Sequence, residues 1–507
     1  MTVLEHVNSF LVGNKKPADS YAQVRLWLVR GLGFVYFVAF AIIFFQGVAL
    51  WGKDGLLPIG SFVEAIVRNF GGRDAAFWHL PSLFYFGASD RLIWGMGLVG
   101  MVLAVVLLSG YANVFILLPL WLFQLSFVNS GQLFYGYGWE TQLLELTLLT
   151  FFLVPVFDPR LKRTTAPPPR IAIWAMRWML FRLMLGAGLI KIRHDPCWRD
   201  LTCLIYYYET QPIPNPLSFF YHHMPPGFHY AGCLFNHFVE LVVPFGYFGP
   251  AMIRRAAGLI TILFQCILIS SGNLAWLNWV TLVMCIACFD DAFLTRWLGR
   301  LAFPAPPWKC SPLKTGLLVC FTGALAWLSV SPAWNLIDED QAMNTSYDAW
   351  HLVNSYGAFG SVGRKRYDVV IEATDEPAVT DQTHWRPYEF KAAPGDVTRR
   401  PPFITPYHYH LDWQIWFSGM RPALQEEWLL RLAVRLLEND PHITTLFESV
   451  PFPGRKPTYI KMDLYRYRFA DWKDWPKVWW TRERFGVYMA PISLDHPFVR
   501  RYRKKRE

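Results

Sequence analysis

The stretch VRLWLVRGLGFVYFVAFAIIFFQGVAL, residues 24–50, decides the fold class of this chain. A helix of about 20 predominantly apolar residues crosses a hydrocarbon core roughly 30 Å thick, and this stretch is longer than that. It begins too late in the chain and is too long for a cleavable signal peptide. The stretch therefore predicts an uncleaved membrane helix near the N-terminus.

Further apolar segments follow along the chain, and together with the first they predict about nine membrane spans. The Ala257 to Phe289 pair is ambiguous, because the Ser270-Ser271-Gly272-Asn273 sequence fits either a tight turn between two short spans or the break in a re-entrant hairpin. The predicted spans are Val24 to Leu50, Leu92 to Leu108, Ala112 to Val128, Trp139 to Phe157, Ile171 to Ile192, Tyr230 to Gly249, Ala257 to Ser271, Leu274 to Phe289 and Leu313 to Val330.

Composition agrees with a membrane protein and argues against nucleic-acid binding. Hydrophobic residues make up 53% of the chain, charged residues only 17%, and the mean hydropathy is +0.21, which is more apolar than an ordinary soluble domain. The net charge of +10 is spread over short loops and the last residues, so it forms no compact basic and aromatic motif. We expect membrane lipid as a partner, and no nucleic acid.

The basic residues of the short loops predict the orientation, because Lys and Arg collect on the cytoplasmic side. With nine spans all four basic clusters fall on one side, so the N-terminus is expected in the cytoplasm and the region after about Ser331 outside it, in an organelle lumen or a periplasm. The clusters are Lys15, Lys16 and Arg25; Arg160, Lys162, Arg163 and Arg170; Arg254 and Arg255; and Arg296, Arg300, Lys309 and Lys314.

Two long loops, residues 51–91 and 193–229, lie on the far side in this scheme, where function is more often found than in short loops. The second loop holds Cys197 and Cys203. A structural disulfide and two free thiols are both open for this pair, whereas a catalytic redox pair is disfavoured because the spacing is not Cys-x-x-Cys.

The texture changes after Val330, which divides the chain into a transmembrane domain, residues 1–330, and a soluble C-terminal domain, residues 331–507. Alternating segments at 366–372 and 459–467 predict half-buried strands, and residues 422–438 repeat apolar residues every three to four positions, as in a helix. We predict an α-helical polytopic membrane protein with a β-rich, sandwich-like α+β domain beyond the membrane.

Several polar residues fall inside predicted spans, where a charge costs roughly 2.5 to 3.5 kcal/mol. The favoured interpretation is interhelical pairing, for example Glu240 or Glu145 against Arg182. A proton-handling or metal site is the alternative, with Lys191, His237 and Glu240 as acid and base candidates, since His237 and Glu240 share a helix face. The polar residues are Glu140, Glu145, Arg177, Arg182, Lys191, His237 and Glu240.

The chain carries no sequence motif that predicts a particular catalytic reaction. The chain has no Gly-rich phosphate loop, no His-Glu-x-x-His and no Gly-x-Ser-x-Gly elbow. We predict no cofactor and no metal ligand set, and lean against an enzyme.

A set of motifs in order along the chain resembles the lipase maturation factor family, with the GWETQLLE sequence at 138–145 as the first of them. They cover nearly the whole chain from about Ser20. The others are LGAGLIKIR at 185–193, CWRDLTC at 197–203, YETQPIPNP at 208–216, NHFVEL at 236–241, SGNL at 271–274, LNW at 277–279, FDD at 289–291, YEFK at 388–391, PGD at 394–396, RRPP at 399–402 and LDWQIWF at 411–417.

The resemblance implies a membrane-resident maturation factor, or chaperone, that assists folding or assembly of secreted lipases in the endoplasmic reticulum through its far-side loops and C-terminal domain. In a bacterial host the same chain belongs in the inner membrane, and the identity of its client protein is then open. The helical part more distantly resembles that of vitamin K-dependent gamma-carboxylase, which keeps open an enzyme acting on a lipid or peptide.

The 411–417 motif concentrates large aromatic rings beside an acid and an amide, a mixture typical of surfaces that bury apolar area while a polar tip stays bonded. We predict that it docks the C-terminal domain onto the membrane-side loops or onto a client. Ordinary core is the alternative, above all for Trp413 and Phe417, which are four apart and share a helical face. The predicted docking residues are Arg399, Arg400, Asp412, Trp413 and Trp416.

Overall fold

The chain is described by a computed structural model. Residues 20–164, 167–299, 312–421 and 426–504 are described, together with residues 11, 301 and 303. The predicted basic residues Lys15, Lys16, Arg300 and Lys309 lie outside these ranges.

Helices dominate the first two thirds of the chain, as the apolar runs predict. Their bounds are α1 Ala22–Trp51, α2 Ile59–Asn69, α3 Arg73–His79, α4 Asp90–Leu108, α5 Val114–Ser130, α6 Gly138–Phe151, α7 Arg170–His194, α8 Pro196–Arg199, α9 Cys203–Thr210, α10 Pro216–His222, α11 Pro226–His237, α12 Ala251–Ser271, α13 Leu277–Cys285, α14 Asp291–Leu298, α15 Pro312–Leu328 and α16 Val330–Ile337. A π turn and a 3₁₀ turn, Phe238–Val242 and Val243–Phe248, extend α11.

Six helices in the described part of the chain are long and apolar enough to cross a membrane, or up to seven if the bent pair Leu277–Cys288 and Asp291–Leu298 counts as one span. This confirms a polytopic membrane protein and does not confirm nine spans. Hydropathy overestimated α6, which ends at Phe151 although the apolar run continues toward Pro155. It also overestimated α13, because the apolar residues before it form a turn in which Ala275 has a φ of 50°.

The two long segments predicted as loops contain short helices, and in the second segment local caps explain where two of these helices begin. The Asp195 side chain accepts a hydrogen bond from the Cys197 N–H and so begins α8. Asn215 forms a capping box with Ser218 at the start of α10, with a proline at the first helical position. These caps fix the path of a segment whose prolines exclude a long regular helix.

The C-terminal region is built on one four-stranded antiparallel sheet in the order β2-β1-β5-β6. A two-stranded sheet, β3-β4, lies beside it, so the predicted sandwich of two comparable sheets is wrong, whereas the β-rich character is confirmed. The strands are β1 Arg366–Thr374, β2 Arg386–Pro387, β3 Glu389–Phe390, β4 Phe447–Ser449, β5 Tyr459–Phe469 and β6 Trp480–Ile492.

Two helices, His410–Ser418 and Glu427–Glu438, pack against this sheet. The second does so because its apolar residues recur on one face. In the helix Glu427–Glu438, α18, the buried residues Trp428, Leu432 and Leu436 lie four positions apart and so share one face. The helix begins at Glu427, and residues 422–425 of the predicted helix lie outside the described part. The helices are α17 His410–Ser418, α18 Glu427–Glu438, α19 Pro441–Thr444 and α20 Pro497–Lys504.

Candidate functional site

The membrane helices and the C-terminal region meet in a buried polar and aromatic interface, which holds several of the residues singled out from the sequence. Glu145 on α6 and Arg182 on α7 form an ion pair there, with 0% and 1% of their side chains exposed. Arg182 also donates to the Asn354 carbonyl. The second Glu145 oxygen accepts hydrogen bonds from the Tyr356 hydroxyl at 2.7 Å and the Asn354 N–H at 3.0 Å. A pair between membrane helices thus binds the chain that follows them.

A second buried pair joins Lys191 at the end of α7 to Glu240. The Lys191 Nζ lies 2.6 Å from Glu240 Oε1 and 3.0 Å from Asn236 Oδ1, and it lies over the Trp198 ring. His237 makes a separate hydrogen bond through Nε2 with the Trp198 carbonyl, at 2.9 Å. The acid and base candidates therefore lie near one another, but Lys191 and Glu240 satisfy each other and none of the three lines the cavity described below. Glu140 is buried and accepts from Gln124 Nε2 at 3.1 Å.

Cys197 and Cys203 are joined by a disulfide, with their Cα atoms 4.8 Å apart. The ring of the intervening Trp198 donates through Nε1 to the Phe359 carbonyl at 2.9 Å. Asp195 is bound by Arg364 at 2.9 Å and by the Val362 N–H at 3.0 Å. Burial disfavours the Asp195 charge, but these hydrogen bonds outweigh it and hold the pKa of Asp195 below its usual value. The loop is thereby tied to the chain that leads into β1.

The 411–417 segment, predicted as a docking surface, forms α17 and lies inside the interface. Trp416 Nε1 donates to the Thr210 carbonyl at 3.0 Å, and Gln414 Nε2 donates to the Leu133 carbonyl at 2.6 Å. Trp413 is 4% exposed and packs against Tyr137 and Trp139. These contacts join α17 to residues of the helical part of the chain, namely Leu133, Tyr137, Trp139 and Thr210. They leave Trp413 no free surface for a client.

The other docking candidates act in different places. Asp412 accepts hydrogen bonds from the N–H groups of Ala392 and Ala393, and burial raises the pKa of its carboxyl to about 6. Arg399 donates to the carbonyls of Phe390 and Ala393, which belong to the same region. Arg400 is exposed. Of the five, only Arg400 presents its side chain mainly to solvent.

Sequence reasoning missed the residues that bridge the interface through backbone. Asn273 accepts from the Ile404 and Thr405 N–H groups through Oδ1 and donates to the Pro402 carbonyl at 2.9 Å. Gln46, inside the first apolar run, donates to the His408 carbonyl at 2.7 Å and accepts from the His410 N–H at 3.1 Å. A buried amide in an apolar run was the available signal, because such a group requires partners.

A cavity of about 700 Å³ opens within this interface. It lies between the starts of α6 and α13, the second half of α7, the 341–344 and 357–361 segments, and α17. Its volume leaves space for another molecule.

The comparisons with known proteins agree with this architecture. The family models of the lipase maturation factor transmembrane domain and C-terminal domain match residues 23–296 and 352–490. Lipase maturation factor 1 of Bos taurus is 40% identical over 509 residues, covering 94% of this chain and 90% of the relative. The Mus musculus protein of that name is 40% identical, with coverages of 97% and 92%.

Lipase maturation factor 2 of Xenopus tropicalis is more distant, at 27% identity over 600 residues, covering 94% of this chain and 82% of the relative. No solved structure matches the chain. The matches span the membrane helices and the C-terminal region together and confirm the resemblance of the motifs. This chain belongs to the lipase maturation factor family.

Proposed function

We propose that this chain is a membrane-embedded maturation factor that assists the folding or assembly of secreted or exported lipases. The observation that carries the proposal is the match of both family domains to one chain, at 40% identity to lipase maturation factor 1 over nearly its whole length. Its work is to hold a client chain at the membrane while the client folds.

The proposed topology puts the N-terminus in the cytoplasm and the C-terminal domain, residues 331–507, in the lumen of the endoplasmic reticulum, or in the periplasm of a bacterial host. Contacts at the two ends of α1 support a placement of the N-terminus and the C-terminal domain at opposite ends of the helix bundle. Near the start of α1, Asp291 accepts from the Ala22 N–H, and Arg25 donates to the Leu161 carbonyl. Near the other end of α1, Gln46 binds the 408–410 chain and Asp54 pairs with Arg435.

Nine passes fit this topology if the shorter helices α5, α6 and α13 also traverse the membrane. An odd number of passes then separates the two ends, and the basic groups collect at the end of the bundle where α1 begins. Arg254 and Arg255, for example, both pair with Asp290, next to the Asp291 that caps α1. The residues 1–330 form the transmembrane domain in this division of the chain.

The buried part of the predicted docking set acts within the chain, and the exposed part is available to a client. Trp413 and Trp416 hold the C-terminal domain on the residues of the helical part, whereas Asp412 and Arg399 bind backbone groups within the C-terminal domain. Arg400 is exposed, and the nearby Phe403 is 53% exposed, so a cation and an aromatic ring face solvent on the same short segment. We assign client contact to this pair, because exposed aromatic and arginine residues recur at protein interfaces.

The test is client maturation in cells that lack the endogenous factor. Arg400→Ala with Phe403→Ala should leave the amount of this protein in the membrane near normal and lower the specific activity of a secreted lipase. Arg468→Ala with Phe485→Ala is the matched control, since it removes an exposed arginine and a phenylalanine that is 66% exposed from the β5-β6 pair. Equal loss of lipase activity in both variants, or loss only in proportion to protein level, would refute the assigned surface.

A further inference from the structure

The cavity between α7, α13 and α17 has the size of a small-molecule site, since its volume of about 700 Å³ lies within the range of about 300–1,000 Å³ usual for such sites. Most of its wall is hydrocarbon or aromatic ring. The apolar lining residues include Leu133, Leu183, Ile190, Leu277, Met343 and Phe417. It therefore suits a ligand that is largely apolar.

Several buried polar side chains on the wall, among them those of Gln142 and Trp413, have an atom without a hydrogen-bond partner among the described residues. Gln142 is 1% exposed, and its Oε1 makes no hydrogen bond with the described residues. Trp413 is 4% exposed, and its Nε1–H is likewise without an acceptor there. Leaving such groups unpaired is unfavourable, so native proteins supply a partner for nearly all of them. Both residues belong to the cavity lining, so a polar group of a bound ligand is the candidate partner.

The charge of the lining has one sign. Arg421 contributes a guanidinium that is 53% exposed and lies over the Phe417 ring, four residues beyond Trp413. Its Nη1 lies 3.5 Å from Glu426, which leaves further N–H donors of the guanidinium for a ligand. His194 is the other basic residue of the lining, and none of the described lining residues is Asp or Glu. A negatively charged group is therefore favoured at the Arg421 end.

The scarcity of polar groups decides between a lipid and a peptide. An extended peptide brings one N–H and one C=O per residue, and each of them needs a partner when buried. Among the described residues the wall offers Trp139, Gln142 and Trp413 as unpartnered groups within a mostly apolar surface. A hydrocarbon chain needs no partners along its length, so it fits this wall better.

We propose that this cavity binds one single-chain anionic lipid, whose acyl chain fills the apolar part and whose oxygen-bearing headgroup is bound by Trp413, Gln142 and Arg421. The ligand class is defined by one acyl chain ending in a carboxylate or phosphate. This binding goes beyond the proposed client function and can be present or absent independently of it. Because the wall combines membrane helices with α17, the lipid joins the two regions.

The experiment is a native mass-spectrometry titration of the full chain in detergent micelles with oleate, lysophosphatidic acid, neutral monooleoylglycerol and an apolar hexapeptide. Saturation at one oleate or one lysophosphatidic acid per chain is expected, and the tighter of the two identifies the headgroup as carboxylate or phosphate. Weaker binding of monooleoylglycerol is expected from the positive lining. Saturation by the hexapeptide, or its displacement of the anionic lipids, would overturn the proposal.

Variants locate the bound lipid. Leu277→Trp fills the cavity and should abolish binding, with Leu259→Trp on the exposed surface of α12 as its control. Trp413→Phe keeps a ring and removes one donor, so affinity should fall about fivefold to tenfold, the equivalent of one hydrogen bond. Trp78→Phe, at a residue 68% exposed and outside the cavity, should bind like the unmodified chain. Unchanged binding in Trp413→Phe would place the lipid elsewhere, even if Leu277→Trp failed to fold.

Discussion

The substitution Arg182→Met tests whether the buried ion pair stabilises the junction between the membrane helices and the C-terminal region. It removes the guanidinium and leaves the Glu145 carboxylate buried, and the remaining donors to its charge among the described residues are the Asn354 N–H, Asn354 Nδ2 and the Tyr356 hydroxyl. Breaking a buried pair from one side costs roughly 3–5 kcal/mol, because an uncompensated charge remains. Tyr356→Phe removes a single hydrogen bond to the same charge and should cost less, roughly 1.5–3 kcal/mol.

The double variant Glu145→Gln with Arg182→Met separates charge from shape. The introduced amide can still accept hydrogen bonds through its oxygen, and no charge remains buried. The double variant should therefore be more stable than Arg182→Met alone, with a coupling of roughly 0.5–3 kcal/mol. The assay is denaturant unfolding of the full chain in detergent micelles, followed by tryptophan fluorescence. A loss below about 1 kcal/mol for Arg182→Met, or a double variant no better than the single one, would refute the reasoning.

Two further predictions concern pH and topology. His408 is buried among aromatic rings, and desolvation lowers its pKa from 6.5 to about 3. The unfolded chain therefore binds a proton that the folded chain does not, so the free energy of unfolding falls as pH drops from about 6.5 toward 3. His408→Phe should reduce the dependence of this free energy on pH, measured in unfolding titrations between pH 4.5 and 7.5, by at most about 1.4 kcal/mol per pH unit. If the slope is unchanged, other groups carry it. A reporter fused after Glu507 should lie outside the cytoplasm and one inserted after Lys162 inside it; identical sidedness of the two would exclude the proposed topology.

The sequence predicts those parts of the fold that depend on local pattern. The run from Val24 to Leu50 lies within one helix, and the alternating segments at 366–372 and 459–467 lie within β1 and β5. Hydropathy measures apolar character and not helical length, which explains why α6 and α13 are shorter than their apolar runs. The pattern also identified Glu145 and Arg182 as buried polar residues needing partners.

The candidate site could be predicted only in part, because its geometry depends on contacts far apart in the chain. Trp416 meets Thr210 across 206 residues, and Asn273 meets Thr405 across 132. A buried tryptophan in the core and one in a cavity wall have the same sequence signature, so the free Trp413 N–H required the structure. The sequence indicated which residues need a hydrogen-bond or ion-pair partner, whereas the identity of the partner required the structure.

The reach of the Glu145 contacts has a consequence for biosynthesis. Glu145 is synthesised early in translation, yet the backbone of Asn354 that binds it is 209 residues farther along the chain. Until that segment is made, the α6 and α7 pair lacks the Asn354 and Tyr356 donors, and the bundle holds an incompletely bonded charge. The nascent helical domain is therefore a folding intermediate that gains these hydrogen bonds only when the C-terminal region has been synthesised. A chain that stops just before residue 354 lacks these donors permanently, even though it contains every long apolar helix through α15.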